Sequence, residues 1–345
     1  MWKQVWNPKK VNLLKVIKMT MTSKEVVQRT LNYENPERIA HSFDESDFVN
    51  ISCTAKTQAT DWKKIEPGKW ERTDEWGNTW GRLESTSKGE VVKGVLSDIS
   101  EIDNYVFPDF SKFEDYQTVV ETRAKYKDKW IIGDIPGFAF NIARKLFRLD
   151  HYLMALVLER EKIRSLHDRI DVLLEDMIRN HAKAGADCIM YPEDWGTQLQ
   201  VFISPDLWYE EFFPRYQKLC AIAHQCGIKV FMHSCGKIGA IVPGLIKAGI
   251  DVLQFDQPDL HGLDNLAEQQ KLGKITFWCP VDIQKTLQTK DENIIRTKAR
   301  EMLDELWKGR GGFIAGFYPD NPSIGLESKW QDIASQEFLT YGTRS

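Results

Sequence analysis

Ile228-Lys229-Val230-Phe231-Met232-His233-Ser234-Cys235-Gly236 is the stretch that decides the fold. A helix beginning at Pro205 is expected to stop near Cys226, with Gly227 as its terminator. The apolar run 228–232 then predicts a short buried strand that leads straight into His233. Downstream the same unit recurs: a helix over 241–248 ending at Gly249, a strand over 250–255, a helix over 263–271, and a strand over 275–278. A long helix over 291–307 and a last strand over 313–315 close the series. Upstream, strands are expected over 129–134 and 187–191, separated by a long helical region through Asn180 with Leu166, Ile170, Leu173, Leu174 and Met177 at helical spacing. Repeated strand–helix units with long crossovers predict a parallel α/β sheet. No Gly-x-Gly-x-x-Gly follows a strand, which places a (β/α)8 TIM-type barrel ahead of a doubly wound nucleotide-binding sheet.

The first barrel strand is expected over 38–43, followed by an N-terminal antiparallel hairpin excursion within 53–110. There Asp74-Glu75-Trp76-Gly77-Asn78-Thr79-Trp80 reads as a hairpin turn, and Glu90-Val91-Val92-Lys93 continues the alternation. Residues 22–345 are expected to form a single domain, opening on Thr22-Ser23-Lys24-Glu25 as a helix start. Residues 1–21 form a basic leader without a signal-peptide core, expected to be disordered or a non-native start.

Composition excludes several classes. With 345 residues, 42% hydrophobic and 28% charged, the chain has material for a large core. A net charge of -4 carries no basic footprint for nucleic acid. Six dispersed cysteines suit free thiols of a reducing compartment, so a cytoplasmic location is expected. No apolar run approaches the roughly 20 residues needed to cross a bilayer. A small-molecule substrate is the expected partner, and nothing specifies the oligomeric state.

The chemistry concentrates at expected strand ends, where a parallel barrel carries its active site. His233 and Cys235 stand two apart, so an extended backbone aims both at one point, as zinc requires. A histidine bonded to a backbone carbonyl beside a buried cysteine is the alternative. A third ligand is needed, and Cys279 at the end of the strand 275–278 is the expected supplier, with Glu193, Asp194 and Asp256 on the same rim. His224 and Cys226 repeat the spacing but fall at a helix end on the opposite face. Glu193 and Asp194 are candidates for proton handling, since adjacent carboxylates shift each other's pKa. Gln198, Trp195, Asp256 and Trp76 are candidates for contacting substrate, with Trp80 beside Trp76 as a second cover; core packing is the alternative for the tryptophans.

Several segments together resemble the uroporphyrinogen decarboxylase superfamily: Glu193-Asp194-Trp195-Gly196-Thr197-Gln198, Ile203-Ser204-Pro205, Phe213-Pro214, His233-Ser234-Cys235-Gly236, Gly249-Ile250-Asp251-Val252-Leu253 and Pro280-Val281-Asp282-Ile283-Gln284. The likeness spans about residues 22–340 and implies a (β/α)8 barrel. It also implies one of two chemistries, porphyrinogen decarboxylation or corrinoid-linked, zinc-dependent methyl transfer. The decarboxylases resemble one another in an Arg-Gln-Ala-Gly-Arg segment after the first strand, a source of guanidinium for carboxylates. This chain reads His41-Ser42-Phe43-Asp44-Glu45-Ser46-Asp47 there, and the next arginine is Arg72. His233 and Cys235 match the first two zinc ligands of the methyltransferase branch. That branch takes a further cysteine from the loop after the last strand, where this chain has Gly316-Phe317-Tyr318-Pro319-Asp320-Asn321. Either Cys279 or a carboxylate completes the site, or zinc binding has been lost. The usual thiol acceptor, coenzyme M, is not implied by these residues.

The expected function is corrinoid-linked methyl transfer with zinc activation. The corrinoid would be carried by a partner protein, since no Asp-x-His-x-x-Gly segment occurs. The alternatives are a decarboxylase acting on a tetrapyrrole or another carboxylated substrate, and a barrel that binds a tetrapyrrole or corrinoid without catalysis.

Overall fold

The computed structural model of the protein describes residues 20–85 and 87–344, so most of the basic leader lies outside the described residues. In chain order the strands are β1 (Ala40–His41), β2 (Phe48–Ser52), β3 (Lys63–Glu66), β4 (Lys69–Thr73), β5 (Thr79–Arg82), β6 (Glu90–Lys93), β7 (Trp130–Asp134), β8 (Cys188–Pro192), β9 (Lys229–His233), β10 (Val252–Gln254), β11 (Thr276–Cys279) and β12 (Phe313–Ala315). Eight of them form one curled parallel sheet in the order β1-β12-β11-β10-β9-β8-β7-β2, a TIM-type α/β arrangement. The remaining four, β3 to β6, form a separate antiparallel sheet.

Helices α1 (Ser23–Asn32) and α2 (Gln117–Lys125) precede β1 and β7; α3 (Ala139–Phe147), α4 (Leu149–Leu158) and α5 (Arg160–Lys183) join β7 to β8. Next come α6 (Pro205–Glu211), α7 (Phe213–Gln225), α8 (Val242–Ala248), α9 (Leu263–Gln269), α10 (Glu292–Met302) and α11 (Ser328–Tyr341). The opening expected at Thr22 is a capping box: its hydroxyl accepts from the Glu25 amide at 3.2 Å while the Glu25 carboxylate accepts from the Thr22 amide at 2.7 Å.

Helices cover the outside of the barrel and side chains fill its interior, so the central strands read as continuous apolar runs. Val230, Phe231 and Met232 of β9 are wholly buried, as are Val252 and Leu253 of β10 and Phe313 and Ile314 of β12. The half-buried ends of β9 are Lys229 and His233, which puts the histidine where the buried ladder stops.

The structure differs from the expectation in three places. The helix expected from Pro205 to Cys226 is two helices that break at Phe212, because Pro214 has no N–H to offer the Glu210 carbonyl one turn back. The excursion has four strands rather than a single hairpin, and it follows β2 rather than the first strand. β2 escapes a periodicity reading because it is an end strand of its sheet, with alternate side chains in solvent and polar Asn50 and Ser52 among them. Among the described residues no helix is long and apolar enough to cross a membrane.

Candidate metal centre at the strand ends

β8 and β9 pair in register so that Pro192 lies beside His233, and the Glu193 amide donates to the His233 carbonyl at 2.8 Å. Asp194 therefore leaves its strand beside the residues that follow His233. Two glycines let the loops touch: a Cβ on Gly196 would lie 2.7 Å from the backbone of Gly236, which itself holds φ at +77°. The contact is fixed by the Lys237 amide, which donates to the Thr197 carbonyl at 2.7 Å, and by the Trp195 amide, which donates to the Ser234 hydroxyl at 3.2 Å.

This crossing brings Asp194, His233 and Cys235 together, with one ligand atom from each lying within 4.8 Å of the others. His233 Nε2 lies 3.2 Å from Cys235 Sγ and 3.5 Å from Asp194 Oδ1. Donors on a tetrahedral ion with bonds of about 2.0–2.3 Å stand about 3.3–3.7 Å apart, so this donor set fits zinc. The other ring nitrogen supports the same assignment. His233 Nδ1 is hydrogen bonded to Gln254 Oε1, an acceptor, which leaves Nε2 as the ring nitrogen directed at the cluster. Gln254 is held in turn by its amide donating to Asp256 Oδ1 at 2.8 Å.

Burial opposes charge on His233, but the hydrogen bond it donates to Cys235 and the charges of Asp256, Cys235 and Asp194 push its pKa up to about 10. Burial would raise Asp194 as well, yet His233 and Arg144 beside it hold the carboxyl below the usual range. Without a cation the proton on His233 is therefore shared with Cys235 and Asp194, and a divalent metal would have to displace it in order to bind.

The candidates named from sequence separate accordingly. Asp194, with His233 and Cys235, stands where a third ligand is needed. Cys279 does not: it is fully buried on β11, outside the cluster, and burial raises its thiol well above the ordinary range. Glu193 is also fully buried, and burial pushes it up to about 8. Its oxygens accept from the amides of Phe138 and Asn141 at 2.7 and 3.1 Å. That cap fastens the start of α3, whose own N-cap residue, Phe138, has no side chain able to serve. Fully buried and bonded through both oxygens to these amides, Glu193 holds the start of α3 in place.

Trp195 is buried under the loop, stacked on Phe140 at 3.8 Å and donating to the Tyr216 hydroxyl at 2.9 Å. Trp76 is buried against Phe107 and Phe110, and its carbonyl accepts from the Tyr105 hydroxyl at 2.7 Å. Neither indole offers a face to a ligand. Gln198 is exposed on the rim, its amide 3.4 Å from Gln257 Oε1. Asp256 acts through Gln254 on His233. His224 binds Asp251 at 2.8 Å on the flank, apart from the cluster.

Three residues that the sequence did not single out complete the surroundings. Arg144 of α3 lies 3.4 Å from Asp194 and also donates to Asn141 Oδ1 at 2.8 Å. Lys145 follows it, within electrostatic reach of Asp194. Gln254 was discoverable in principle, as it lies two residues before Asp256 and so on the same side of an extended strand. Arg144 had no such signal, since a charged residue on a helix usually faces solvent.

The family model described as uroporphyrinogen decarboxylase (URO-D) matches residues 86–317. No curated protein matches the sequence. Among solved structures, a methyltransferase from Methanosarcina mazei superposes with a TM-score of 0.60 at 12% identity, over 94% of this chain and 88% of that one. A B12-independent methionine synthase from Shewanella sp. W3-18-1 gives 0.45 at 13% identity, over 66% of this chain and 64% of its own. At these identities the first likeness shows the fold, and the second adds nothing to it.

Proposed function

The chain belongs to the uroporphyrinogen decarboxylase family, and from that premise we propose that it is a zinc-dependent methyltransferase working with a corrinoid carried on a partner protein. The observation that carries the reading is the convergence of Asp194, His233 and Cys235 at the C-terminal ends of β8 and β9. Bound there, zinc would supply Lewis acidity, which lowers the pKa of a thiol or polarises an ether oxygen at neutral pH. The chain's own residues do the rest. Gln254, braced by Asp256, fixes the tautomer of His233, and Arg144 orients Asp194. Glu193 holds α3, and with it Arg144, in place. The setting assigned to such a protein is the cytoplasm, and its substrate a small molecule.

Two measurements test this reading. Protein expressed with supplemental zinc should retain one equivalent after dialysis, by elemental analysis. It should also transfer methyl from methylcobalamin to a thiol acceptor, followed by the cobalamin spectrum. Protein that holds no zinc, or that holds it and transfers no methyl group to any thiol or from any methyl ether, would overturn the proposal.

A second reading, decarboxylation of a carboxylated substrate, is favoured by Arg144 and Lys145 beside the cluster, since guanidinium and ammonium groups receive carboxylates. Release of carbon dioxide from a carboxylated substrate by zinc-free protein would select it. A barrel that binds a tetrapyrrole or corrinoid without catalysis would show tight binding and neither reaction.

A further inference from the structure

The antiparallel sheet bears a ladder of alternating indole and guanidinium groups on one face. Trp70 pairs across the strands with Arg82, and Arg72 with Trp80. The Arg72 guanidinium lies 5.4 Å from the Trp62 ring and 4.9 Å from the Trp80 ring; that of Arg82 lies 4.3 Å from Trp62 and 5.3 Å from Trp70. At Trp80 this face adjoins α3 beside the barrel mouth. Lys145 of α3, one residue beyond the partner of Asp194, lies 5.7 Å from the Trp80 ring. From the β5–β6 connection of the same sheet, Lys88 reaches the other side of the mouth, 5.0 Å from the Tyr318 ring and within reach of the charges of Asp256 and Cys235.

Among the described residues none of Arg72, Lys88 and Lys145 forms an ion pair, although Glu75 and Asp74 face Lys145 and Asp256 faces Lys88 at longer range. Arg72 goes further: like Arg82 across the sheet, it has an Nε that is buried without a hydrogen-bond partner. A desolvated guanidinium with an unused donor is costly, and in a finished structure its partner is usually present. Its neighbours explain how it persists. Indole faces stabilise a cation stacked on them, but they leave the in-plane N–H groups free.

We propose that Arg72, with Lys145 and Lys88 around it, binds the carboxylate of a small planar organic acid over the metal centre, so that the sheet is the part of the enzyme that selects its substrate. A carboxylate in the plane of a guanidinium accepts two parallel hydrogen bonds, which the two Nη groups of Arg72 can supply while its Nε stays buried. The flat remainder of the acid then lies along the Trp62 and Trp80 edges, toward Asp194, His233 and Cys235. This site rests on the barrel mouth being the active site, the premise of the proposed function. Its residues β3 to β5 lie before residue 86, where the family match begins.

The test is titration of the full-length protein with benzoate and with benzamide, its neutral isostere, by calorimetry and tryptophan fluorescence, in zinc-loaded and chelator-treated samples. Benzoate should bind about tenfold or more tightly than benzamide, as loss of a charged hydrogen bond predicts. Arg72→Gln should abolish that preference while the zinc content stays at the wild-type value. Equal binding of the two probes, or a preference that survives Arg72→Gln, overturns the proposal. Where Arg72→Gln melts early, Arg72→Lys and Lys145→Gln replace it: each should weaken benzoate severalfold, and an unchanged preference in both is equally fatal. Benzoate preference in a protein that neither binds zinc nor transfers methyl groups would remove the proposed function and leave this site standing. Zinc binding and methyl transfer without the preference would do the reverse.

Discussion

His233 and Cys235 stand two residues apart on one strand end, whereas Arg72 and Trp80 meet across two strands with the turn of Asp74–Asn78 between them. In the proposed arrangement both pairs serve the same barrel mouth. The rim is made of residues whose spacing already implies convergence, because a strand points alternate side chains the same way. The roof is made of residues that converge only through cross-strand register, which no local spacing announces. The rim is also rigid by construction, fixed by buried β-ladders beneath it, while the roof depends on one turn and a few stacked rings. The division suits a centre in which the metal ligands must not move and the substrate cover must be able to vary. The effects of substitution should divide in the same way.

Removing a rim ligand should have the largest effect. His233→Ala deletes the one donor whose second nitrogen is already anchored by Gln254, and the remaining aspartate and cysteine cannot hold zinc alone. Zinc content should fall from one equivalent to less than about a tenth, and methyl transfer by at least about a thousandfold. Elemental analysis and the cobalamin assay check both numbers. The melting temperature should remain within a few degrees of wild type, because His233 is at the end of its strand and outside the packed core.

Asp194 and Cys279 sharpen the comparison within the rim. Asp194→Ala should cost about 100-fold in zinc affinity, read by competition with a chromophoric chelator. Cys279→Ala should leave that affinity unchanged and should lower stability by about 1–2 kcal/mol through the small cavity it opens in β11. The opposite result would restore Cys279 as the third ligand. A milder change acts one shell out: Gln254→Leu should weaken zinc about tenfold by freeing the His233 ring, with stability little altered.

This pattern also explains how far the chain could be read before its structure was known. The parallel strands β7 to β12 and the helices between them were legible because buried strands and amphipathic helices leave different periods in the sequence. So were His233, Cys235 and the acidic pair on the neighbouring strand end. The roles within that pair were not. Glu193 and Asp194 are adjacent in sequence, but opposite sides of the loop send one to the start of α3 and the other to the cluster. Cys279 was a reasonable third ligand by its strand-end position, and it failed because its side chain is fully buried outside the cluster. The tryptophans Trp76 and Trp80 are four residues apart in one turn, yet only Trp80 belongs to the ladder; Trp76 is drawn under the sheet by Phe107 and Phe110.

The smallest effect on the metal, and the clearest separation of roof from rim, should come from Asp74. Its carboxylate closes the β4–β5 turn by accepting from the Trp76 and Asn78 amides at 3.0 and 2.9 Å, from Asn78 Nδ2 at 3.0 Å and from Trp80 Nε1 at 2.8 Å. Asp74→Ala would leave buried amides unpaired and release the Trp80 indole from its tether, at a cost of about 2–4 kcal/mol. Because the turn belongs to the excursion and the proposed zinc ligands are fixed by β8 and β9, the variant should bind zinc with unchanged stoichiometry and an affinity within about threefold of wild type. Hydrogen exchange should rise in β4 and β5 and stay unchanged in β9. If zinc affinity fell as far as it does in Asp194→Ala, the sheet would be part of the metal centre itself, and the distinction between a fixed rim and a variable roof would be lost.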